Sequence, residues 1–134
     1  METKWFSNGS IDLEVKLKGE GPLILCVHGW PELWYSWRHQ MDYFASRGYK
    51  VAAMNVRGYG GSSHPSDIES YTIKNLASDV AAVAVGLSKT PVILFGPRLG
   101  RSNRLPNSHT LSGSILCSSR SKRSLPSHVR TIVS

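Results

Sequence analysis

Three short, unbroken apolar runs, Leu23–Val27, Val51–Met54 and Val92–Phe95, constrain the folding of this chain more than any other feature of its sequence. Side chains in a strand alternate between faces. A run with no polar member is therefore buried on both sides, the condition of strands inside a parallel sheet. Between the runs lie two stretches of helical spacing. Trp37, Met41, Phe44 and Ala45 fall on one face before Gly48 stops the pattern. Ile73, Leu76, Ala77, Val80, Val83, Ala84 and Leu87 form a second stripe, with Ser70 or Thr72 placed to cap it and Thr90-Pro91 to end it. Strand, helix, strand, helix, strand implies an α/β fold with right-handed crossovers. Upstream, Asn8-Gly9 is a hairpin turn. Ile11, Leu13, Val15 and Leu17 then alternate with Asp12, Glu14, Lys16 and Lys18, a strand with one wet face. The expected sheet is an antiparallel hairpin followed by parallel β-α-β-α-β.

This grammar stops at Gly96. With 134 residues the chain is one domain at most, and its hydrophobic share of 40% suits a globular core. The net charge of +7 is concentrated beyond the last apolar run. All nine acidic residues lie between Glu2 and Asp79, and the nine Lys and Arg of residues 1–96 balance them. Residues 97–134 carry Arg98, Arg101, Arg104, Arg120, Lys122, Arg123 and Arg130 against no Asp or Glu. They also hold ten serines and none of the twelve aromatic residues. The expectation is a partial folded domain over 1–96 and a disordered, basic Ser/Arg-rich tail over 97–134. Such a tail permits nonspecific attraction to anionic surfaces, but it has no aromatic or helical pattern for specific nucleic-acid recognition. Met1-Glu2-Thr3-Lys4-Trp5 offers no apolar signal core, and no run approaches the ~20 residues of a membrane helix. A soluble cytoplasmic protein is expected, with Cys26 as a small buried residue rather than half of a disulfide.

The chemistry-bearing pattern is His28-Gly29-Trp30-Pro31-Glu32, directly after the first buried run and continued by Leu33-Trp34-Tyr35-Ser36-Trp37-Arg38. Arg57-Gly58-Tyr59-Gly60-Gly61-Ser62 follows the second run. Together the two segments resemble the paired signatures of the epoxide hydrolase branch of the α/β-hydrolases, and the resemblance spans residues 5–96. It implies the opening part of an α/β-hydrolase sheet, truncated before the nucleophile elbow. The family reaction attacks an epoxide with an Asp carboxylate and hydrolyses the ester to a vicinal diol, with no metal and no cofactor. That hydrolysis passes through an oxyanion, which needs backbone N–H donors aimed at it. By resemblance Trp30 supplies one donor, and Pro31 fixes its loop through a cis Trp30–Pro31 bond. His28, Gly29, Arg57, Gly58 and Gly60 are then motif residues with structural duties. His28 is read as structural because the family places its catalytic base near the C-terminus. Trp34, Tyr35 and Trp37 are read as core rather than pocket lining. The glycines at 58, 60 and 61 form a tight turn and lack the Lys-Ser/Thr pair of a phosphate cradle.

The family continues after the third run as Gly-His-Asp-Trp-Gly-Ala, with Asp on the elbow, whereas this chain reads Gly96-Pro97-Arg98-Leu99-Gly100-Arg101. Arg98 occupies the nucleophile position, and a guanidinium stays protonated. The acid partner and lid tyrosines implied by the family also lie beyond residue 96, where this chain has no carboxylate and no tyrosine. A shifted reading frame accounts for the change. The family's His-Asp-Trp-Gly-Ala-Pro-Ile-Val, written in suitable codons with one base inserted before it, translates as Pro-Arg-Leu-Gly-Arg-Ser-Asn-Arg, which is residues 97–104 as they stand. The expected protein is an inactive epoxide hydrolase-like chain whose intact relative takes a small apolar epoxide. A haloalkane or haloacid dehalogenase-type fragment and a non-enzymatic basic binding protein are the alternatives. Either way, Val92–Phe95 is expected to form an open, aggregation-prone sheet edge.

Overall fold

The computed structural model describes residues 1–90, 92–96 and 129–131, the last three through their backbone. Its elements are β1 (Glu2–Asn8), β2 (Ile11–Lys18), β3 (Leu23–Val27), α1 (Arg38–Ala45), β4 (Lys50–Met54), α2 (Ile73–Leu87), β5 (Val92–Phe95) and β6 (Val129–Thr131). Short 3₁₀ turns over Trp34–Trp37 and Ile68–Tyr71 introduce the two helices. The strands form one mixed sheet in the order β1-β2-β4-β3-β5-β6. β1 and β2 pair antiparallel across the Asn8-Gly9 turn, where Gly9 takes a left-handed conformation, φ +64°. β2 pairs antiparallel with β4, and β4, β3 and β5 run parallel. This is the hairpin-then-parallel sheet that the apolar pattern requires, and the third and fifth strands keep the bounds of their apolar runs.

Burial follows the two-sided logic of those runs. On one face Leu13, Val15, Leu17, Leu23, Leu25, Ala52, Met54, Val92 and Leu94 pack with Val83 and Ala84 of α2. On the other, Ile24, Cys26, Val51 and Ala53 pack with Met41 of α1 and are flanked by Trp34, Trp37 and Phe44. Burial pushes the Cys26 thiol up to about 12, so it is a space-filling residue and not a nucleophile.

The stripe on α2 needs one correction. Ile73, expected to face the core, is 71% exposed. The helix packs on the sheet through Val83 and Ala84, while its first turn carries the Thr72 cap, whose hydroxyl accepts from the Asn75 N–H at 3.3 Å. Asp79, unremarked in the sequence pattern, takes a fully buried place on the same helix.

The second correction concerns the sheet edge. The region after Gly96 was expected to hold no folded element and to leave β5 open. Instead Val129–Thr131 pairs in parallel with β5, in the register Val92↔Val129, Ile93↔Arg130 and Leu94↔Thr131. Unpaired backbone N–H and C=O groups on an edge bind any extended segment within reach. Val129, Thr131, Ile132 and Val133 are β-branched, a strand signal in a run too short to stand out from its surroundings. Arg98 and the rest of the tail lie outside the described residues.

Candidate functional site

Because β3, β4 and β5 are parallel, the segments that leave them emerge at the same end of the sheet, where sites in open α/β folds collect. The first loop, residues 28–33, leaves β3. The second, residues 55–63, leaves β4. Gly96 follows β5, beside β3 in the register Cys26↔Phe95.

His28 is buried, and both of its ring nitrogens are occupied by backbone. Nε2 accepts the Val56 N–H at 3.1 Å, which makes Nδ1 the protonated nitrogen, donating to the Gly29 carbonyl at 2.9 Å. The ring meets Tyr59 edge-on, with centroids 5.0 Å apart. Burial holds the imidazole below its ordinary pKa, against smaller opposing effects of the Gly29 carbonyl and Glu32. A neutral ring with neither nitrogen available for a substrate ties two loops together.

The rest of the first loop is outward-facing. The Trp30–Pro31 peptide is cis, and Trp30 is 84% exposed. The Glu32 N–H closes a turn on the Gly29 carbonyl at 2.8 Å. Among the described residues no acceptor engages the Trp30 N–H. Trp34 and Trp37 pack against the α1-side core, whereas Tyr35 is exposed with the Arg38 guanidinium 4.3 Å above its ring.

The second loop is held by a dense polar network. Arg57 and Asp79 form a buried bidentate pair, with Nε and Nη2 each 2.6 Å from a carboxylate oxygen. Arg57 Nη1 also donates to the Ser70 carbonyl at 2.7 Å, and Asn8 Nδ2 donates to Asp79 at 2.8 Å. The hydrogen bond to Asp79 holds the Arg57 guanidinium above its ordinary pKa. On the other side Glu14 Oε2 accepts from Asn55 Nδ2 and the Gly61 N–H, both at 2.8 Å, while Oε1 meets Lys16 Nζ at 2.6 Å. Burial would raise the Glu14 carboxyl, but the hydrogen bonds from Lys16, Gly61 and Asn55 outweigh it and hold it below its ordinary range. The Ser62 hydroxyl donates to the Asn55 carbonyl at 2.7 Å and accepts the Glu14 N–H at 2.9 Å.

This network explains the glycines of the second motif. Gly60 has φ +54°, and a Cβ there would lie 2.1 Å from Asn55 Nδ2. One on Gly61 would lie 2.7 Å from Glu14 Oε2. Gly58, at φ +84°, faces the Tyr71 ring. The sequence pattern singles out neither Asn55 nor Asp79, and it shows Ser62 only as part of the motif and Glu14 only as part of the wet face of β2. For Asp79, the available signal was an acid three residues after Leu76 and four before Val83 on an otherwise apolar stripe. Among the described residues, no three His, Cys, Asp or Glu side chains are grouped to hold a metal ion. No described helix is long and apolar enough to cross a membrane.

Comparison with known proteins agrees with this geometry. The profile of the alpha/beta hydrolase fold family matches residues 22–97. Epoxide hydrolase 1 of Siraitia grosvenorii is 38% identical over 96 residues, covering 72% of this chain and 31% of its own length. Epoxide hydrolase B of Mycobacterium tuberculosis is 50% identical over 64 residues, 48% of this chain and 18% of its own. Among solved structures, an epoxide hydrolase of Vigna radiata superposes with a TM-score of 0.69 at 44% identity, covering 71% of this chain and 31% of that one. The chain thus spans about a third or less of the length of these relatives. With the sheet order, the two loop motifs and these relatives in agreement, the chain belongs to the α/β-hydrolase family, and within it to the N-terminal part of an epoxide hydrolase-like protein.

Proposed function

We propose that residues 1–96 are the oxyanion-loop portion of an enzyme that opens small apolar epoxides to vicinal diols, and that this chain does not itself turn over epoxide. In the reaction, a carboxylate oxygen attacks an epoxide carbon, the C–O bond breaks and an ester forms. Water then adds to the ester carbonyl, generating an oxyanion that collapses to release the diol. Trp30 is assigned the donor to that oxyanion. The observation that carries the assignment is its N–H: in the loop that leaves the C-terminal end of β3, the strand paired with β5, with no intramolecular acceptor among the described residues. His28, Gly29 and Pro31 shape that loop, and Arg57, Gly58 and Gly60 shape its neighbour.

The proposed inactivity rests on the residue at position 98. The elbow position of the family motif falls on Arg98, which cannot form a carboxyl ester. A one-base shift of the reading frame after Gly96 accounts for residues 97–104 and for the basic, acid-free tail. The free, buried Cys26 fits a reducing, cytoplasmic setting.

The test compares this 134-residue chain with a version restored to the other frame after codon 96, both assayed on a chromogenic epoxide. Diol formation is expected only from the restored version. Turnover by the 134-residue chain, free of any longer relative, refutes the inactivity. An uninterrupted genomic frame through codon 97, with no hydrolase-like continuation in the other frames, refutes the frame shift.

A further inference from the structure

The two ends of the first loop are held by two consecutive residues of the second. At one end the Val56 N–H donates to His28 Nε2 at 3.1 Å. At the other, Asn55 Oδ1 accepts the Trp34 N–H at 2.9 Å, where the first 3₁₀ turn begins. Between these anchors lie Gly29 to Leu33, with the exposed Trp30 and its cis bond to Pro31. The Trp34 bond is the only described side-chain tie from the second loop to the far end of the first.

Asn55 is almost fully buried and uses all its polar groups. Its Oδ1 takes the Trp34 N–H, its Nδ2 gives to Glu14 Oε2 at 2.8 Å, its backbone N–H gives to the Glu14 carbonyl at 2.9 Å, and its carbonyl accepts from Ser62 Oγ at 2.7 Å. An amide presents one donor end and one acceptor end, and here each faces a partner of the opposite kind. Glu14 therefore decides which end of Asn55 faces Trp34, because an ionised carboxylate only accepts and claims the NH₂. Lys16 closes the chain by pairing with Glu14 while its ammonium sits 5.7 Å from the Trp34 ring centroid.

We infer that Asn55, oriented by Glu14, is the positioning residue for the oxyanion loop: it fixes the C-terminal anchor of the segment that presents the Trp30 N–H. This rests on the role proposed for Trp30, and it extends that role to two residues that touch no reacting atom. Gly60 and Gly61 serve the same end, since side chains on either would displace the Glu14–Asn55 pair.

The test is amide hydrogen exchange on the full chain, read at single residues and without substrate, so its outcome is separate from that of the epoxide assay. In Asn55→Ala the Trp34 amide is expected to exchange roughly fivefold to tenfold faster, the worth of one hydrogen bond, with Ile24 and Ala52 unchanged. The double variant Glu14→Gln with Asn55→Asp reverses the donor and acceptor between the pair and keeps an acceptor for Trp34. It is expected to restore Trp34 protection while leaving Gly61 fast. An unchanged Trp34 amide in Asn55→Ala overturns the inference. So does acceleration that Ile24 and Ala52 share, failure of the double variant to restore protection, or fast exchange throughout the core of the unmodified chain.

Discussion

The two loops at the C-terminal end of the sheet are held in opposite ways. The second loop is bonded to itself, with Gly58 N–H to Ser63 O, Tyr59 N–H to Val56 O and Ser62 N–H to Tyr59 O, and to its surroundings through Arg57, Gly61 and Ser63. The first has one internal turn, an exposed tryptophan, and anchors borrowed from its neighbour. On the role proposed for Trp30, its N–H is kept for a transition state and has no partner among the described residues, so its loop forgoes bonds of its own. Rigidity is then supplied from next door, and the polar residues with the most bonds are not those assigned to the chemistry.

If that division is correct, damage to the supporting loop costs most. Asp79→Ala strands the buried Arg57 guanidinium and is expected to destabilise the fold by about 3–5 kcal/mol in chemical denaturation. A loss under 1 kcal/mol would show the pair to be incidental. Gly60→Ala comes next, at about 1–3 kcal/mol, because it joins a positive φ to a clash with Asn55. Gly9→Ala is its control: φ is also positive at +64°, but nothing lies within 4 Å of the added Cβ, so only the backbone cost of about 1 kcal/mol remains. Equal losses at the two glycines would remove the clash with Asn55 from the account.

Acidification separates the loops by pH window. His28 has its folded pKa below the unfolded value, so its contribution is full above about 6.5 and is lost as pH falls from there toward the lowered value. Protonated Nε2 would also face the Val56 N–H donor to donor. Glu14 is likewise depressed, and its contribution is full above about 4.5 and lost as pH falls further. Denaturation midpoints across pH 8 to 3 are expected to fall in two stages, and His28→Gln is expected to abolish the upper one. A single stage below pH 4.5 in the unmodified chain would show that His28 does not couple the loops. The smallest effect is reserved for Trp30→Ala, within about 0.5 kcal/mol, since the side chain stands in solvent. A larger loss would show that the first loop supports itself after all.

The sequence disclosed these two loops unequally. The strands were legible because runs such as Leu23–Val27 have one physical solution, and the first loop with its cis Trp30–Pro31 bond was legible through the likeness of its motif to a known one. The supporting residues were not. Glu14 obeys the alternation of β2 and looks like a solvated face, because pattern reading cannot see that the second loop folds over it. Asn55 ends an apolar strand and passes for a turn residue. Asp79 breaks the stripe on α2, and its meaning depends on Arg57, 22 residues earlier. Periodicity records which face a side chain takes, but not what the rest of the chain later brings to that face. Ile73 shows the converse error, a residue in phase with the stripe but exposed at the first position of the helix.

The pairing of Val129–Thr131 on β5 has a bearing on how protein sequences change. Parallel pairing uses main-chain groups common to every residue but proline, so an exposed rung offers the same invitation to any polypeptide that is briefly extended nearby. A sheet built outward from its middle can thus recruit a neighbour whose side chains were never selected for the place. If the reading frame does shift after Gly96 as proposed, the altered coding need not leave the sheet edge ragged, and a new ending can be adopted before it has any use.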